Sequence, residues 1–86
     1  MDTDTVVADE LRELVENVVR WLVEDPDQVR VTVVEAENIV MYELRVAPQD
    51  VGRVIGRKGR TANALRTVLR ASAGRQRKRV SLEIVS

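Results

Sequence analysis

Gly56-Arg57-Lys58-Gly59 concentrates the chemistry of this chain: two glycines bracket two cations, with Val54-Ile55 before them and Arg60 directly after. Glycine lets a backbone turn sharply and lets a second molecule come close to it. The stretch behind the turn, Thr61-Ala62-Asn63-Ala64-Leu65-Arg66-Thr67-Val68-Leu69-Arg70-Ala71, reads as a helix. A helix that starts there offers unpaired N–H groups and the positive end of its dipole. Arg57 and Lys58 add two full charges at the same point, and Arg60 can add a third. The combination is an anion site with the geometry for a phosphodiester backbone. Val54 and Ile55 either give bases an apolar flank or belong to the core, and Ile55 is assigned mainly to the core.

Other chemistries lack their residues. The chain has no His and no Cys, which removes thiol nucleophiles, imidazole bases, disulfides and the common zinc sites. The spacing from Gly52 to Gly59 is not that of a Walker loop, and no Lys-Ser/Thr pair closes it. Paired carboxylates fall on the first helix and in turns, where solvation accounts for them. No nucleophile has a visible base. The chain is therefore expected not to be an enzyme and to need no cofactor or metal. Trp21 and Tyr42 are its only aromatics, so strong stacking of bases is not expected.

The longer string Asp50-Val51-Gly52-Arg53-Val54-Ile55-Gly56-Arg57-Lys58-Gly59-Arg60-Thr61 is far more specific than a bare G-x-x-G. It resembles the nucleic-acid-binding loop of a KH domain, and more closely that of the KhpA family of small bacterial single-KH proteins. The likeness extends through most of the chain. One departure is Ala62, where the KH pattern usually has a larger aliphatic residue; Leu65 fits the next aliphatic position. The resemblance implies a type II KH fold with single-stranded RNA in a cleft beside residues 56–59. The RNA-binding residues would be Arg53, Val54, Ile55, Gly56, Arg57, Lys58, Gly59 and Arg60, against a footprint of about four nucleotides. It also implies RNA chaperoning or post-transcriptional regulation linked to cell shape and cell wall organisation. Self-association and pairing with a larger KhpB-type KH protein are implied as well.

These residues need a scaffold, and 86 residues make one small domain spanning 1–86, with Met1 to Asp4 read as a short flexible start. A helix is expected from Thr5 to about Glu24, capped by Asp4, with Val7, Leu11, Leu14, Val15, Val18 and Leu22 on its buried face. Asp25-Pro26-Asp27 ends it. Alternation at Val29, Val31 and Val33, then at Val40, Tyr42, Leu44 and Val46, predicts a hairpin around Glu35-Ala36-Glu37-Asn38. Asp50 can cap a short helix over Val51 to Ile55. A longer helix follows from Arg60 to about Ala73, with Gly74 as its C-terminal cap. Arg75-Gln76-Arg77-Lys78 connects to a last strand at Val80, Leu82 and Ile84. The order α-β-β-α-α-β is an α+β fold, the one the resemblance implies. Its last strand should run parallel to the second, in a three-stranded mixed sheet with helices on one face.

Charge is divided along the chain. Residues 1–50 hold 13 acids and 4 bases, and residues 51–86 hold one acid, Glu83, and 10 bases. Either the halves pair across the fold, or the basic cluster takes an anionic ligand. Arg53, Arg66 and Arg70 can serve that ligand or simply solvate a helix. Arg75, Arg77, Lys78 and Arg79 can widen the basic face or neutralise the first helix. No apolar run approaches a membrane span, and the acidic start does not read as a signal peptide, so a cytoplasmic protein is expected. On the 60–73 helix, Ala62, Leu65, Leu69 and Ala73 share the face expected on the sheet. Ala64, Val68 and Ala71 lie nearly opposite, either as ordinary exposed residues or as a dimer interface. The alternative to direct RNA binding is an interaction subunit that dimerises and leaves RNA to its partner.

Overall fold

Valine-rich alternation does produce the hairpin. In the computed structural model, which describes residues 3–73 and 78–86, β1 (Arg30–Glu35) pairs antiparallel with β2 (Ile39–Arg45), setting Val31 opposite Leu44 and Val33 opposite Tyr42. Helix α1 (Thr3–Leu22) precedes this hairpin. The short α2 (Val51–Ile55) and α3 (Arg60–Ala73) then carry the chain across to β3 (Arg79–Val85). β3 lies parallel to β2, with Leu82 beside Tyr42, so the sheet order is β1-β2-β3. The mixed sheet, the α-β-β-α-α-β order and the parallel last strand all match the expectation.

The period of two gives the sheet one apolar face. Val31, Val40, Tyr42, Leu44 and Leu82 are buried there with Val15 and Val19 of α1, Val54 of α2, and Leu65 and Leu69 of α3. α1 packs on β1 and α3 on β3. Ala62 is buried beside Leu65 and Leu69, as its place on the helix predicts.

The first helix differs from its expected orientation. Leu14 is 46% exposed, Val18 40% and Leu22 39%; the residues turned inward are Ala8, Val15 and Val19. Glu16 is also buried. Its Oε2 accepts a hydrogen bond from the Val31 N–H at 3.4 Å, and Arg12 Nη1 donates to its Oε1 at 2.9 Å. β1 is an edge strand, and an edge N–H needs an acceptor. Supplying one rotates a carboxylate inward and takes Leu14 and Val18 out. The helix also begins at Thr3, so Asp4 lies within it and not at its cap. The expectations for Gly74 and for Arg75, Gln76 and Arg77 fall outside the described residues, as do the side chains of Val7 and Ala73.

Candidate nucleic-acid interface

Three of the four loop residues have positive φ. Gly56 stands at φ 79°, ψ 170°, Lys58 at φ 57°, ψ 25°, and Gly59 at φ 74°. At Gly56 a Cβ would strike the Thr61 hydroxyl and sit 2.9 Å from the Thr61 backbone nitrogen. Only glycine fits there, because that backbone region is closed to L side chains and the space is occupied. At Gly59 a Cβ would meet only Asn63 Nδ2 at 3.8 Å, so conformation and not crowding selects the residue. Lys58 holds a left-handed conformation with a full side chain, a local strain of the kind that gathers at binding sites. The Gly56 N–H bonds Gly52 O at 2.9 Å to close α2, and the Gly59 N–H bonds Gly56 O at 3.1 Å to tighten the loop.

This geometry places Arg57, Lys58 and Arg60 in solvent at the start of α3. The 14 residues of α3 contain three arginines and no acid, so the helix dipole and the side chains have the same sign here. Ile55, assigned mainly to the core, is instead exposed, and Val54, left open between core and ligand contact, is the core residue. Val54 is fully buried and supports the loop from beneath, while Ile55 is 40% exposed and available to a ligand. A five-residue helix buries only one side, and Val54 has it.

Arg53 is engaged within the fold. Its guanidinium pairs with Glu24 at 2.5 Å and lies 3.6 Å from Asp50 Oδ1. Asp50 is fully buried and makes no capping bond to α2, contrary to expectation. Its two oxygens instead accept the backbone N–H groups of Glu24 (3.0 Å) and Asp25 (3.1 Å). Those donors follow α1, so Asp50 ties the end of the first helix to the start of α2 and hence to the loop. Sequence reasoning missed this clasp: a single Asp in a turn carries no mark of a partner 25 residues away. Ala64, Val68 and Ala71 are all exposed on α3. Among the described residues no group of His, Cys, Asp and Glu could hold a metal, and no helix is long and apolar enough to cross a membrane.

A three-stranded mixed sheet covered on one face, with a G-x-x-G turn between two helices in its crossover, defines a type II KH domain. Residues 12–84 match the family described as KhpA/KhpB, KH domain. Proteins named "RNA-binding protein KhpA" are similar over most of the chain. That of Aquifex aeolicus is 49% identical over 75 residues, 87% of this chain and 95% of its own. That of Borreliella burgdorferi is 48% identical over 73 residues, 85% and 89% of the two chains. That of Clostridium acetobutylicum is 45% identical over 75 residues, 87% and 100%. The chain belongs to the KhpA/KhpB KH-domain family.

Proposed function

We propose that this protein binds single-stranded RNA, with the sugar–phosphate backbone against Gly56–Gly59 and phosphates contacted by Arg57, Lys58 and Arg60. The observation that carries the reading is the loop itself: a strained, glycine-shaped turn with two exposed cations at the positive end of a helix. The names of the relatives support RNA as the ligand. Ile55 offers the apolar contact for a base. Arg53 contributes less, since Glu24 and Asp50 already hold it. RNA chaperoning or post-transcriptional regulation in the cytoplasm is part of the proposal on the strength of the resemblance alone, and no single side chain carries it.

The double substitution Arg57→Asp with Lys58→Asp tests this reading. Both side chains are in solvent, so the fold should survive, and phosphate repulsion should remove most of the RNA affinity. A folded double variant that binds RNA as the wild type does overturns the site. Salt supplies a second readout. Each phosphate neutralised on a single strand contributes about −0.7 to the log–log slope, so a few contacts should give roughly −2 to −4 per protomer.

A second reading is favoured by the exposed apolar surface of α1 and α3. Here the domain pairs with a second copy or with a KhpB-type protein through Ala64, Val68 and Ala71, and the partner makes the RNA contact. A salt slope near zero for the isolated protein would favour that reading.

A further inference from the structure

Helix α2 cannot hold itself in place. It is five residues long, too short to be stable alone, and no side chain caps its start. The loop takes its direction from this helix, because the Gly56 N–H bonds Gly52 O inside it and the Gly59 N–H bonds Gly56 O in turn. A strained residue such as Lys58, at φ 57°, persists only where its surroundings over-determine it. Val54 anchors α2 from beneath, but one apolar contact has no direction and leaves the helix free to pivot.

Asp50 supplies the direction. It immediately precedes α2 and is fully buried. Its two oxygens accept the N–H groups of Glu24 at 3.0 Å and Asp25 at 3.1 Å. A fork of two bonds to adjacent backbone donors fixes orientation as well as distance. Toward an anionic ligand, however, this carboxylate is unfavourable. It places a negative charge near a site for phosphate, and it lies 3.6 Å from the Arg53 guanidinium, occupying a cation that RNA could use. Its electrostatic effect on RNA affinity and its effect through the loop therefore have opposite signs.

We propose that Asp50 is a positioning residue for RNA: by fixing α2 on the end of α1, it holds Gly56–Gly59 in the conformation that receives the sugar–phosphate backbone. The inference rests on the RNA-binding reading above and adds to it a residue that does not touch the ligand.

The test measures the affinity of Asp50→Ala and Asp50→Asn for a strand of about four nucleotides, at low salt and at a temperature where circular dichroism shows both folded. Amide exchange at Gly56 and Gly59 is followed beside it. Asp50→Ala should raise the dissociation constant about fivefold or more, and Asp50→Asn by less, since its amide oxygen keeps one bond. Electrostatics alone gives the reverse order, with binding tightened by loss of the charge. Val40→Ala is the control: it opens a cavity at the other end of β2 from α2, so it lowers stability and leaves RNA affinity unchanged. Exchange at Gly56 and Gly59 should be faster in the Asp50 variants than in Val40→Ala. If Asp50→Ala does not fold, Asp50→Asn carries the same comparison. Folded variants that bind as tightly as the wild type or more tightly, or whose loop exchanges no faster than in Val40→Ala, overturn the inference. A wild type without affinity for RNA overturns the RNA reading instead, and exchange at Gly56 and Gly59 then decides whether Asp50 holds the loop.

Discussion

At Gly56 the backbone adopts a conformation that carries about 1–3 kcal/mol of strain for any residue with a side chain, and an added Cβ also meets the Thr61 backbone. At Gly59 only the left-handed conformation resists substitution, at a cost of about 1–2 kcal/mol. Gly56→Ala should therefore destabilise the protein more than Gly59→Ala, read as a lower urea midpoint at unchanged slope. Equal costs would mean that the loop is not shaped as described. Tyr42 makes a second prediction at this scale. Its phenol is pushed above its ordinary value, first by burial and then by the carboxylates of Glu35 and Asp9. The unfolded chain loses this proton near pH 10 while the folded chain still holds it. The contribution is whole below about pH 10 and is lost as pH rises from there through the folded value. Stability should fall more steeply between about pH 9 and about pH 11 in the wild type than in Tyr42→Phe. Parallel curves from urea titrations would show that the shift is absent.

Two elements, α1 and α2, show what the sequence could and could not reveal. Alternation in β1 and β2 leaves a single way to bury a hairpin, and the basic glycine loop was readable because its residue types have few other uses. Helix α1 offered two overlapping apolar stripes, and periodicity alone cannot choose between them. The choice was made by the Val31 N–H and the Glu16 carboxylate, a contact between elements 15 residues apart. The same holds for α2, whose link to α1 depends on Asp50 and two backbone donors. Removing that carboxylate leaves both N–H groups without their acceptor, each worth about 1–3 kcal/mol where water cannot replace it. Asp50→Ala should destabilise the protein by roughly that sum, and Asp50→Asn by less, since its amide oxygen still accepts one bond. Hydrogen exchange at Glu24 and Asp25 should quicken in both. An Asp50→Ala protein with wild-type stability and exchange would show that the clasp contributes nothing. Arg53→Gln should cost more than the roughly 0–1 kcal/mol of its exposed pair with Glu24, because it also removes the guanidinium 3.6 Å from the buried Asp50 carboxylate.

For the whole molecule, equal numbers of acids and bases conceal a division into an acidic first half and a basic second half. Neutrality overall keeps long-range steering of an anion weak, so affinity has to come from local cations and from presenting more than one loop at once. On the proposed function, assembly would then be part of binding. Val68 is 48% exposed on the outer side of α3, whereas Leu65 and Leu69 face the sheet. Val68→Glu should leave the fold intact, since the helix keeps its buried residues, yet place a charge in any interface formed there. In that interface it would stand in the apolar groove that Val68 lines with Leu14 and Ala64, about two helical turns from Arg60, the α3 arginine that borders the same groove. We expect a folded monomer by light scattering where the wild type is dimeric. Affinity for an RNA long enough to span two loops should fall, while affinity for a strand of about four nucleotides should not change. That contrast separates lost bivalency from damage to the loop. A Val68→Glu protein that stays dimeric would exclude Val68 from the interface, and equal losses on long and short RNA would show that the substitution reaches Gly56–Gly59.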